Sequence, residues 1–167
     1  MDKIIEIYRQ SFGNEPDFEK ALFKNCGNYI KKLDKNGETV SILFLLPCEM
    51  LSGGTVNNAY YLFAAATHSD KRGKGYMSQL IERIKTETSA PIILRPANES
   101  LIKFYEKSGF YTLIGQDKTC TNTILNPIKG FEDLCNQTEK TDEGNFTLMA
   151  YNLDKNISEI FFPYTMP

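Results

Sequence analysis

The stretch Ala59 to Met77, AYYLFAAATHSDKRGKGYM, decides the fold. Asn58 to Thr67 reads as a strand, and its three consecutive alanines, weak strand formers, leave room for something to approach the backbone. After the turn HSDKRGKG comes a helix whose inward face is Met77, Leu80, Ile81 and Ile84, with Glu82, Arg83, Lys85 and Glu87 outward. A glycine-containing turn between strand and helix can aim several backbone N–H groups at one point. The first N–H groups of a helix lack intrahelical partners, and the macrodipole places partial positive charge there. Lys71, Arg72 and Lys74 add cationic charge against Asp70 alone, while Gly73 and Gly75 remove the Cβ atoms that would block close approach. The chemistry suits an elongated anion such as pyrophosphate. It is not a P-loop, since GxxxxGK[ST] is absent, nor the dinucleotide fingerprint, since Ser78 stands where GxGxxG needs its last glycine. On composition alone the same residues also describe a basic surface turn that caps a helix.

Downstream, PIILRP (Pro91 to Pro96) reads as a short apolar strand. ANESLIKFYEKSGF then starts a helix at Asn98, places Leu101, Phe104 and Tyr105 on its inner face and closes at Gly109. Phe110 to Ile114 and Phe146 to Leu153 read as strands. The polar, turn-rich connection between them holds at most a helical turn or two near Phe131 to Asn136. Upstream, Thr39 to Leu46 is a β-branched, apolar strand bounded by Asn36-Gly37 and Pro47. Residues 3 to 12 form a helix with Ile4, Ile5, Tyr8 and Phe12 inward, and Glu15 to Lys24 a second with Phe18, Leu22 and Phe23 inward. The result is one α/β (α+β) domain over residues 1–167 with a single sheet of mixed direction.

The strand–RGKGYM–helix unit, then IILRP, then Asn98 and Tyr105 six residues apart in between, followed by Gly109-Phe110, resembles the GNAT superfamily of acyl-CoA-dependent N-acetyltransferases. The likeness covers Ala59 to Ile114. Its [RQ]-x-x-G-x-[GA] loop maps to Arg72, Gly75 and Met77, methionine standing where the family has a small residue. The run from LFLLPCEM to YYLFAAATHSDKRGKGYM also looks like uncharacterised bacterial GNAT proteins whose catalytic half resembles the Eis-type enzymes.

The resemblance implies a GNAT fold, with a central, mostly antiparallel mixed sheet flanked by helices. Its cosubstrate is acetyl-CoA, and an acetyl group passes to a primary amine by direct attack in a ternary complex. Ala65, Ala66 and Thr67 would pair their backbone with the pantetheine arm, and the amides of Gly73, Lys74, Gly75, Tyr76, Met77 and Ser78 would cradle the pyrophosphate beside Arg72. Asn98 would hydrogen-bond the cofactor, a backbone N–H near Ala66 would meet the oxyanion, and Tyr105 would protonate the departing thiolate. A phenol with a pKa near about 10 matches a leaving thiolate of comparable basicity. The alternative for Tyr105 is an aromatic at core spacing. IILRPA carries no carboxylate, so the general base is open; Glu49 reads first as an exposed strand-end carboxylate, and Glu99 as a charge at its helix start. His68 reads as a solvated turn histidine, and Tyr8, Phe12, Phe18 and Phe23 as core aromatics, one or two of which would also line an acceptor pocket. The rival reading is a non-catalytic CoA-binding or sensing module on the same fold.

Composition limits the partners. With 167 residues, 41% apolar and 24% charged, the chain can bury a proper core. Its net charge of −2 and pI near 5.5 give no global field for nucleic acid or anionic membrane. The apolar runs fall short of the roughly 20 residues that span a bilayer. MDKIIEIYRQSFG lacks the pattern of a signal peptide, so a cytoplasmic protein is expected. Cys26, Cys48, Cys120 and Cys135 are expected as free thiols, and with His68 the only histidine no metal site is expected. The apolar tail EIFFPYTMP, Glu159 to Pro167, is expected to dock on its own core; monomer and homodimer both stay open.

Overall fold

The computed structural model describes residues 2–52, 55–114, 125–127 and 147–153. It is a mixed α/β fold in which β1 (Ile30–Lys35), β2 (Glu38–Ser52), β3 (Thr55–Thr67), β4 (Ile92–Leu94), β5 (Tyr111–Ile114), β6 (Leu125–Pro127) and β7 (Leu148–Tyr151) form one sheet. The helices are α1 (Asp2–Phe12), α2 (Pro16–Cys26), α3 (Tyr76–Glu87) and α4 (Glu99–Lys107). Strand order is β1-β2-β3-β4-β7-β5, with β6 on β2. The pairings described are antiparallel except β3 with β4, which is parallel. The chain divides into two compact units, Met1–Leu46 with Leu62–Ser89, and Pro47–Tyr61 with Ala90–Pro167, and β2 and β3 pass through both.

In the first unit, α1 ends where Gly13, at φ 83°, donates its N–H to the Arg9 carbonyl at 3.0 Å. Pro16 opens α2 without a lost hydrogen bond. Arg9 grips the buried Glu19 with two bonds of 2.7 Å, joining the two helices. The buried side chains of α1 are Ile7 and Tyr8 and those of α2 include Leu22 and Cys26. Phe12, expected in the core, is 45% exposed and is the last residue of α1. Its ring lies against Tyr8, which meets Phe23, and Phe23 meets Phe44 of β2 edge-on at 5.6 Å. Every residue from Val40 to Leu46 is buried, as in a strand covered on both faces.

Strand β1 was not expected from IKKLDK, whose charges suit an edge. It joins β2 through Asn36 (φ 51°) and Gly37 (φ 81°), the left-handed pair that a two-residue hairpin requires. Strand β2 does not stop at Pro47 but continues to Ser52. Its pairing with β1 ends at Phe44 and that with β6 starts at Cys48, so Pro47 stands between these two ladders. Helix α3 buries Leu80, Ile81 and Ile84, while Met77 stays partly exposed. Arg83 donates to the Lys32 carbonyl at 2.6 Å and Lys31 pairs with Glu87 at 2.7 Å, fastening α3 to β1.

In the second unit, Ile92, Ile93 and Leu94 of β4 and Leu148, Met149 and Ala150 of β7 form the buried centre. Asn98 caps α4 by accepting the Leu101 N–H at 3.0 Å. Gly109, at φ 80°, ends the helix and sends its N–H to Glu106. Of the expected inner face only Tyr105 is buried; Leu101 and Phe104 are partly exposed. Strand β7 spans four of the residues expected between Phe146 and Leu153, and β6 lies in a stretch expected to be polar and turn-rich. The helical turns near Phe131 to Asn136, Cys120, Cys135 and the tail from Glu159 lie outside the described residues. Cys26 and Cys48 are buried free thiols, and burial pushes the Cys48 thiol up to about 12.

Candidate functional site

The loop that leads into α3 is built from the end of β3 upward. Ala64, buried in that strand, takes φ 49°, a left-handed conformation that costs an alanine about 1–2 kcal/mol and interrupts the regular pleat just before Ala65, Ala66 and Thr67. His68 follows, its N–H bonded to the Val40 carbonyl at 3.0 Å. Ser69 to Lys71 make one 3-10 turn, and Arg72 turns back to donate to the Thr67 carbonyl and to Ser11 Oγ, each at 3.1 Å. Lys71 pairs with Glu38 at 3.5 Å, and Lys74 reaches the Asp70 carbonyl at 3.4 Å.

Gly73 (φ 74°) and Gly75 (φ 73°) then place the backbone in the left-handed region, with nothing within 4 Å of either missing Cβ. Backbone geometry, not crowding by the protein, therefore demands glycine here. The first bond back into the helix is Gln79 N–H to the Gly75 carbonyl, at 3.1 Å. Among the described residues, none of the six consecutive N–H groups from Gly73 to Ser78 has an acceptor. Helix α3 has no side-chain cap, whereas α4 is closed by Asn98. One helix start is finished internally; the other presents a row of donors at the positive end of its dipole, with Lys74 alongside. Tyr76 carries Lys35 over its ring, 6.0 Å from the centroid.

His68 is not the solvated turn histidine that its neighbours in sequence suggest. It is 7% exposed, its Nε2 lies 2.9 Å from Glu6 Oε1, and its Nδ1 accepts from the Asp70 N–H at 3.3 Å. The reason is tertiary: α1 brings Glu6 and Gln10 to the loop from 58 to 62 positions away.

In the second unit, Tyr105 is 6% exposed and packs edge-on between Phe104 and Phe110 at 5.1 and 5.6 Å. Burial pushes its phenol up to about 12, and no described residue bonds its hydroxyl. An unpaired hydroxyl at that depth is costly, and such groups mark places where a ligand completes the bonding. The other expected cofactor contact, Asn98, spends its side-chain oxygen on the cap and is otherwise exposed. Glu99 stands in the first turn of α4, as its charge suggests. Strand β4 is wholly apolar, and the Glu49 side chain lies outside the described residues. Among the described residues no cluster of histidine, cysteine and carboxylate is placed to hold a metal, and no helix is long and apolar enough to cross a membrane.

Known structures share this architecture. An acetyltransferase-like protein of the GNAT family from Bacteroides thetaiotaomicron superposes with a TM-score of 0.59 at 19% identity, over 92% of this chain and 81% of its own. The N-acetyltransferase YlbP of Bacillus subtilis, solved in complex with coenzyme A, gives 0.51 at 12% identity, over 86% of each chain. A GCN5-related N-acetyltransferase from Kribbella flavida gives 0.55 at 16% identity, over 66% of this chain and 31% of its own. This chain spans about a third of the length of that protein and of two further structural relatives. No curated protein matches the sequence. The family model for the acetyltransferase (GNAT) domain matches residues 1–113. With that match over more than half its length, and with the fold to go with it, the chain belongs to the GNAT acetyltransferase family.

Proposed function

We propose that the protein is an N-acetyltransferase that moves an acetyl group from acetyl-CoA to a primary amine. The observation that carries this is the row of six N–H groups from Gly73 to Ser78, none with an acceptor among the described residues, at the start of α3, which has no side-chain cap. A pyrophosphate is the CoA element that such a row fits, since its oxygens accept several charge-assisted bonds at once. Arg72, tied to Thr67 and Ser11, shapes the loop, while Lys74 adds charge beside it. The backbone of Ala65, Ala66 and Thr67 receives the pantetheine arm, an N–H near Ala66 polarises the thioester carbonyl, and Asn98 meets the cofactor through its amide.

In the reaction the neutral amine attacks the carbonyl carbon, the C–S bond breaks, and the thiolate takes the proton of the Tyr105 hydroxyl. The proton on the attacking nitrogen leaves to water, and water returns a proton to the Tyr105 oxygen. Tyr105 offers a hydroxyl that no described residue engages, and burial keeps it protonated while making it a weaker acid than the phenol that a thiolate matches. Calorimetric titration tests the reading, with acetyl-CoA and CoA beside an adenine nucleotide as control. Micromolar binding of both CoA species supports it and opens an amine screen by thiol release; a flat titration with both removes it.

One observation favours a second reading. Strand β4 offers only Ile92, Ile93 and Leu94, with no carboxylate to deprotonate an amine, which suits a CoA-binding or sensing module without turnover. Binding of CoA with no thiol release from any amine would select it.

A further inference from the structure

We propose that His68 is a positioning residue that clamps the anion-binding loop to helix α1, so that the donors of Gly73 to Ser78 are aimed before a ligand arrives. The inference rests on the reading of that loop as the CoA pyrophosphate site. A backbone N–H can only donate, so the Asp70 N–H, 3.3 Å from Nδ1, fixes that nitrogen as an acceptor. The ring proton of the neutral imidazole then sits on Nε2, 2.9 Å from Glu6 Oε1, and is donated to it. Both nitrogens are thereby engaged, one with the loop and one with α1.

Further bonds run along the same seam. Gln10 Oε1 accepts the Ser69 N–H at 3.0 Å, and its amide nitrogen lies 3.4 Å from His68 Nε2. Ser11 Oγ accepts from Arg72 at 3.1 Å. Gln10, Glu6 (through His68) and Ser11 of α1 thus hold Ser69, Asp70 and Arg72, the residues that enter the two-glycine turn. Gly73 and Gly75 are the least restrained residues a chain can have, and a loop that must be ordered on binding loses affinity in proportion. The clamp removes that loss by fixing the approach to the glycines from one side. The Glu6 carboxyl is held below its usual range by its bonds to His68 and to Lys3, so the acceptor end of the clamp stays charged.

A buried histidine that merely fills space would be replaced well by any ring of similar size. His68→Phe fills the space and removes both bonds; His68→Asn is smaller but puts Oδ1 where Nδ1 was and keeps the Asp70 bond. CoA titration of wild type and both variants, beside hydrogen exchange at the Asp70 amide, decides between the two. Expected is about tenfold weaker CoA binding for His68→Phe and also for His68→Asn, which does not reach Glu6, with faster Asp70 exchange for His68→Phe alone. Either variant binding CoA as wild type does overturns the proposal. If His68→Phe does not fold, Glu6→Ala, which removes the exposed carboxylate that His68 Nε2 faces, is expected to weaken CoA about fivefold; unchanged binding there overturns it equally. A flat titration with wild type would instead overturn the loop reading and this inference with it, and is recognised because no variant is involved.

Discussion

Replacing Gly75 by alanine and, in a second variant, by asparagine separates backbone strain from ligand contact at one position. Gly75 sits at φ 73°, ψ 11°, and a Cβ added there meets no protein atom within 4 Å. The folded-state cost of alanine is thus the left-handed penalty alone, about 1–2 kcal/mol. Against it stands a gain of about 0.4–1 kcal/mol from the stiffer unfolded chain. Gly75→Ala should lower unfolding free energy by roughly 1 kcal/mol. Asparagine tolerates the left-handed region, so Gly75→Asn should lie within about 0.5 kcal/mol of wild type. Binding should not follow that order. Either side chain projects into the open space over the turn, where the proposed pyrophosphate lies, and obstructs its approach to the neighbouring amides. One lost charge-assisted bond of about 1.5–3 kcal/mol corresponds to at least about tenfold in affinity. Urea melts would show stability recovered by asparagine, and calorimetry would show CoA affinity lost by both. CoA binding to Gly75→Asn at wild-type strength would refute the cradle, whatever the alanine variant does.

Tyr105→Phe removes a buried hydroxyl that no described residue satisfies. Stability should therefore stay level or rise by about 1 kcal/mol in urea melts, CoA affinity should hold, and thiol release should fall by about a hundredfold or more. Undiminished turnover would strip Tyr105 of its role. The pH dependence follows from burial: the phenols of Tyr8 and Tyr105 are raised to about 12, and Tyr61 and the Cys48 thiol are raised as well. A folded pKa above the unfolded one means the folded state holds the proton longer. The corresponding stability is complete below pH about 8 and is lost as pH climbs from about 9 towards 12, the Cys48 share first. Ultraviolet titration should show these tyrosines ionising late, with unfolding; ionisation of all nine near pH 10 in the folded protein would contradict the packing. Asn98→Ala should cost about 1 kcal/mol by opening the start of α4, and Asn98→Ser should restore it. If the amide also meets the cofactor, CoA affinity stays low in the serine variant; recovery of both would leave Asn98 as a cap alone.

The elements most legible in the sequence were those whose signal is local. Helix α3 declares itself through Leu80, Ile81 and Ile84 at helical spacing, and α4 through Asn98 and Gly109 at its ends. Strand β1 was missed because an edge strand needs no apolar run: IKKLDK alternates only weakly, and its evidence lies in the next two residues. Asn36-Gly37 marks a tight hairpin, and a hairpin requires a strand on both sides. Pro47 misled for the converse reason. Proline ends a strand only where its N–H would be needed, and that depends on which strands stand opposite, not on the residues beside it.

The same distinction runs through the site. Gly73 and Gly75 could be read as backbone devices because positive φ is a property of one residue, and the structure has both near +74°. Phe12 and His68 exchanged places: the aromatic expected inside is exposed, and the histidine expected in solvent is buried. Neither outcome is written near the residue itself. Polar neighbours, Ser69, Asp70 and Lys71, make His68 look solvated, yet burial of a polar side chain requires partners, and those are the Asp70 N–H and, from α1, Glu6. A sequence reading could have asked which helix carries acceptors one turn apart on a face next to an apolar stripe. Glu6 and Gln10, at i and i+4 on α1, answer that description, since residues so spaced lie one above the other and can meet a single strand end together.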